Sequence, residues 1–159
     1  MSHIRTELRD AVATTITGLA STGSRVYKTR IYPLEEAKLP CLAVYVKSEQ
    51  IEQSTIGNQN KKRSIEIVID CAALANANLD STLDTICGNV EAAMALNKNL
   101  NGLALEVLLE RTEIDIDGSG DKPVGIAQMT YRAITFQNLP DPAVVFSPAV
   151  GVVDLGRIV

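Results

Sequence analysis

Few side chains in this sequence could perform covalent or metal chemistry. There is one histidine, His3, and there are three cysteines, Cys41, Cys71 and Cys87. Nucleophilic catalysis by a Ser-His-Asp or Cys-His centre would have to use His3, and no motif supplies it with a nucleophile or an acidic partner. It reads as an exposed histidine at the edge of a helix. The cysteines are far apart, form no CxxC pair and sit in apolar segments. They read as small buried hydrophobes in a reducing compartment. Glu106, Glu110, Glu113 and Asp115 lie along one predicted strand, where a solvated face is the default. Catalysis by paired carboxylates needs two acids facing into one cleft. The segment Asp115-Ile116-Asp117-Gly118-Ser119-Gly120 opens like an EF-hand calcium loop, but Ile126 stands where the closing bidentate Glu belongs. Pro123 interrupts its second half and its flanks read as strands, so Asp and Gly serve here as hairpin-turn residues. Gly118, Gly120 and Gly125 lack the strand-loop-helix setting and the Lys-Ser/Thr of a phosphate loop. The reading is of a protein that is not an enzyme, with no catalytic residues, no cofactor and no metal.

The features left over are those of contact. Lys61-Lys62-Arg63 is a short basic run bordering a polar stretch, Ser48 to Arg63, that reads as the flexible tip of a long hairpin. The run is either a solvated shoulder, which is the expectation, or a contact for nucleic acid or an acidic partner. The segment after Asn138 carries Pro140, Pro142 and Pro148 and then an apolar end, VGVVDLGRIV. Exposed, Phe146, Val153, Leu155 and their apolar neighbours would form a patch larger than soluble monomers tolerate. This arm must cover its own sheet or a neighbouring molecule, and the second is the expectation. The net charge of −4 argues against a dedicated nucleic-acid binder, because counterion release needs a dense basic surface. It would let DNA pass without sticking. No apolar run is long enough to span a membrane and no signal-peptide core is present.

The elements that must position these residues follow from periodicity. With 159 residues the chain fits one domain, placed at 1–137, with a C-terminal arm at 138–159. Ile4, Leu8, Ala11, Val12 and Leu19 predict an amphipathic helix over 2–20, capped by Ser2. Alternation predicts strands at 25–32, 41–50 and 64–72, the last with Ile65, Ile67, Ile69 and Cys71 on one face. Leu79, Leu83, Ile86, Val90 and Met94 predict a second helix over 79–97, with Asn78 or Asn76 as its cap. Long strands are predicted at 103–117 and 122–137. This order implies an α+β fold, a mainly antiparallel β-sheet with two α-helices packed on one face.

The phrases IRTELRDAV, RIYPLEEAKLPCLAVYV, RSIEIVID, LDSTLDTICGNVEAAM and TEIDIDGSGDKPVGIAQMTYRAITF, in that order, resemble the tail terminator (minor tail protein U-like) family of long-tailed bacteriophages. They span residues 1–137. The resemblance implies a structural protein of the virion tail, assembled in the host cytoplasm as a homohexamer ring. Such a ring binds the tail tube protein, ends tail polymerisation and presents a surface to the head-tail connector protein, with DNA passing through its lumen unbound. It implies no catalytic residues. Lys61, Lys62, Arg63, Phe146, Val153 and Leu155 are the candidate partner contacts on the chain's own chemistry. A neck stopper or tail completion protein, or a small-ligand-binding domain, are the alternatives.

Overall fold

The structure, a computed structural model, describes residues 3–31, 35–53, 60–117 and 123–138. Its elements run α1 (Ile4–Thr15), β1 (Val26–Tyr27), a 3-10 turn (Glu36–Lys38), β2 (Cys41–Gln53), β3 (Asn60–Leu74), α2 (Leu79–Ala95), β4 (Glu106–Asp117) and β5 (Val124–Asn138). The strands form a single sheet in the order β1-β2-β3-β5-β4. All neighbours are antiparallel except the short β1, which pairs parallel with β2. The α+β fold with a mainly antiparallel sheet is therefore the observed one.

One face of the sheet carries the core. Leu42 and Val44 of β2, Ile65, Ile67, Ile69 and Cys71 of β3, and Ala127, Met129, Tyr131 and Ala133 of β5 are all buried in one cluster. The register aligns them in rows: Leu42 with Cys71 and Ala127, Val44 with Ile69 and Met129. Period-two alternation put these side chains on one side, so a single register buries all of them. Leu8, Val12 and Ala13 of α1 and the whole predicted stripe of α2 close over the same cluster. Leu79, Leu83, Ile86, Val90 and Met94 are each buried, four or three residues apart along one face of the helix. Both helices thus lie on one face, α1 over β2 and α2 over β3 and β5.

Several boundaries differ from expectation. The first helix ends at Thr15 rather than residue 20. The Thr15 hydroxyl donates to the Ala11 carbonyl and that of Thr17 to Ala13, and Gly18 then takes φ +89°. Such back-bonding competes with helix propagation, and only glycine adopts that φ freely. The cap is His3, whose Nδ1 accepts from the Arg5 N–H, not Ser2. The strand expected at 25–32 shrinks to two residues, with Lys28 to Arg30 in a bend. The second helix stops at Ala95, two residues before its expected end, and Asn78 caps it without a side-chain bond. The fourth strand starts at Glu106 instead of 103, because Leu100, Asn101 and Gly102 take positive φ and turn the chain into it. Conversely, β2 and β3 extend to Gln53 and back from Asn60, shortening the expected tip. The rest of that tip, 54–59, lies outside the described residues, as do the hairpin turn 118–122 and the arm from 139 onward.

Gly125 shows how tightly α2 is seated. A Cβ there would lie 2.5 Å from Leu79 Cδ1. Gly125→Ala is expected to cost about 1–3 kcal/mol through overpacking, read as a lower urea midpoint. In Leu79→Ala, which removes the obstructing methyls, the same change is expected to cost measurably less. Equal costs in the two backgrounds would show that the contact does not govern the site.

Candidate assembly surfaces

The described residues hold no arrangement suited to catalysis. His3 is exposed and its Nδ1 is engaged as a helix cap. All three cysteines are buried and free. Burial pushes the Cys41 thiol up to about 11, and Cys71, hydrogen-bonded with Cys87, is raised well above its ordinary value. The same bond lowers Cys87, but no histidine or other base accompanies it. Tyr45, Asp70 and Gln128 form a small polar network on the face away from the helices, with Gln128 donating to Tyr45 Oη at 3.1 Å. Burial and the neighbouring Asp70 raise the Tyr45 phenol above its ordinary value, so it remains a neutral hydrogen-bonding group. Of the calcium-like segment, Asp115, Ile116 and Asp117 end strand β4, and 118–120 lie outside the described residues. Asp115 Oδ1 accepts from the next backbone N–H, at Ile116, and Ile126 sits directly across the ladder from Asp115. Among the described residues no group of three or more His, Cys, Asp or Glu is placed to hold a metal. Among the described residues no helix is long and apolar enough to cross a membrane.

The basic run is brought into β3, opposite β2. Lys61, Lys62 and Arg63 pair in register with Gln53, Glu52 and Ile51. They do not behave alike. Lys61 and Lys62 are partly exposed, Lys62 lying 3.9 Å from Glu52. Arg63 is buried, and its guanidinium donates to Glu49 Oε2. Glu49 Oε1 accepts from Arg5 at 2.9 Å, so a single carboxylate joins α1 to the β2–β3 ribbon. Its side chain is only 6% exposed. Nothing in the sequence marked this bracket, since Arg5, Glu49 and Arg63 are distant along the chain and share no motif. The other three predicted contact residues, Phe146, Val153 and Leu155, lie outside the described residues.

Two further surfaces emerge at the sheet's opposite edges. At the β4 edge, Leu108, Leu109, Ile114 and Ile116 are exposed, although each is a large apolar side chain. The same strand carries five acidic residues, Glu106, Glu110, Glu113, Asp115 and Asp117, against Arg111 alone. Glu110 is drawn below its ordinary value by its paired bonds from Arg132 across the ladder. At the other edge a cleft of about 640 Å³ lies between α1, the bend after β1 and the outer side of β2. Arg5, Arg9, Lys28, Arg30 and Lys47 line it against one carboxylate, Glu49.

A family model for phage minor tail protein U matches residues 3–136. The chain belongs to that family. The match runs from the start of α1 to within two residues of the end of β5, so this is a structural component of phage tails. Among solved structures, a chain from the virion of a native gene transfer agent particle is similar at 15% identity and a TM-score of 0.41. The alignment covers 84% of this chain and 92% of that one. No curated protein matches the chain.

The Glu49 bracket can be tested by stability. Glu49→Ala would leave the buried Arg63 guanidinium uncompensated and is expected to cost about 3 kcal/mol in urea unfolding. Arg5→Ala removes only a half-exposed partner and is expected to cost under about 1 kcal/mol. Equal small losses for both would show that Glu49 is not the joint.

Proposed function

We propose that this phage tail protein closes into a ring, a hexamer by family resemblance, that caps the tail tube, ends its polymerisation and joins the tail to the head connector. The observation that carries the reading is the family match across residues 3–136. The surface chemistry supports it. A strand edge with bare apolar side chains on both faces is a liability in a monomer and an asset in an assembly. Assembly takes place in the host cytoplasm, and the mature site is the virion tail. The acidic balance lets DNA pass through the lumen without specific binding.

In this reading Lys61 and Lys62 meet an acidic surface of the tube or the connector, while Arg63 holds the ribbon that presents them. The C-terminal arm, through Phe146, Val153 and Leu155, covers apolar surface on an adjacent subunit. Small subunits gain stability from such cross-contacts by mass action.

Phage particles made without this protein are expected to yield tails of irregular length that do not join heads. Adding the purified chain to such extracts should restore joined virions, counted by electron microscopy and plaque titre. Uniform tails that join heads in its absence would overturn the proposal.

A further inference from the structure

The two edges of the sheet carry opposite chemistry, and each is only partly paired within the subunit: Glu110 meets Arg132, Glu113 meets Arg111 and Lys28 meets Asp10. The β4 edge is acidic and apolar. It is exposed along its described length except at the half-buried Val107. The end of α2 flanks only its start, where Glu91, Met94 and Ala95 line a hollow with Glu106 to Leu109 and Val107 packs against the core. Among its acids, Glu106 has no hydrogen-bond or ion-pair partner among the described residues, and Asp115 bonds only its own strand's backbone. The cleft at the β2 edge is the reverse. Arg9, Arg30 and Lys47 have no carboxylate within ion-pair distance among the described residues, and the buried Arg9 Nε has no acceptor at all. Arg30 instead lies 5.1 Å above the Tyr45 ring and donates to the Val46 carbonyl. Ile31, at 87% exposure, adds an apolar rim. β1 pairs with β2 only at Leu42 and Ala43.

We infer that the occupant of the β4 edge is the basic cleft of a second copy of this chain. The contact is head-to-tail: the β4 edge of one subunit seats against α1, residues 28–31 and the outer side of β2 of the next. Charge complementarity selects this pairing. Two β4 edges placed together would set Glu106, Glu113 and Asp115 against their own kind, and two clefts would oppose Arg9 and Lys47 in the same way. Like charges across an interface suppress such pairings, while opposite charges fix register and speed encounter. Edge acids also prevent strand-to-strand self-pairing, a known protection of exposed sheet edges. A contact that uses different surfaces on its two sides propagates from copy to copy, and it closes into a ring when the rotation per step permits. The inference rests on the ring reading and adds which surfaces meet.

The test uses the whole chain in two variants. Glu106→Lys/Glu113→Lys spoils the acidic edge, and Arg9→Glu/Lys47→Glu spoils the basic cleft. Each alone is expected to weaken self-association by at least about tenfold in sedimentation velocity. Mixed one to one, they should associate again into alternating oligomers, because the intact cleft of one meets the intact edge of the other and their two reversed surfaces complement each other. Combining all four changes in one chain should restore association. Circular dichroism checks the folds, and Lys47→Glu alone serves if the double cleft variant does not fold. Association of the wild type that none of these changes alters would overturn the surface assignment and leave the ring standing. A mixture that stays monomeric would also overturn the assignment. A wild-type chain that is monomeric at about 1 mM subunit would overturn the ring reading and this inference together.

Discussion

The helices α1 and α2 close over one face of β2, β3 and β5, and the hydrophobic layer they trap is the constraint from which the other features follow. Ile65, Ile67 and Ile69 run down the centre of that layer, with Val44 and Met129 on either side and Leu83 and Ile86 above. Every buried row depends on one antiparallel register, and a slip by one residue would turn the whole set to the opposite face. β4 is held by its ladder to β5 and by Val107, which packs against the core, while Leu109, Ile114 and Ile116, which share the helix side of the sheet, remain exposed. The described elements thus leave an apolar edge exposed.

Polar chemistry then decides how that edge is used. Acids are interleaved with the apolar side chains of β4, and cations gather at the far side of the sheet around Arg9, Arg30 and Lys47. Internal ion pairs hold the framework. Glu49 ties α1 to the ribbon through Arg5 and Arg63, and Glu110 with Arg132 braces β4 on β5. Among the described residues, Arg9, Arg30 and Lys47 at one edge and Glu106 at the other have no ion-pair partner. This separates the groups that maintain the subunit from those available to a partner.

Much of the fold was legible in the sequence because its signals are local. The stripe Leu79, Leu83, Ile86, Val90 and Met94 and the alternation of Ile65 to Cys71 are each set by residues within a few turns or pleats, and each is buried as expected. Family resemblance was legible for the same reason, in the phrases spanning these elements. Features that needed three dimensions were not. Residues 25–32 have strand composition, but Lys28 to Arg30 bend to frame a cleft, so only Val26 and Tyr27 pair. The cleft draws its cations from three separate segments. The exposure of β4 carried a faint signal, since Val107, Leu108 and Leu109 put apolar groups on both faces of a strand rich in acids, a pattern unlike that of a half-buried strand.

In the proposed assembly, copies of this chain join head-to-tail through opposite edges of one sheet. Single-particle electron microscopy of the assembled chain is expected to show closed rings of identical subunits, each with its β4 edge against the α1–β2 cleft of the next. Twofold dimers joined β4 to β4, or rings in which β4 faces solvent throughout, would contradict it.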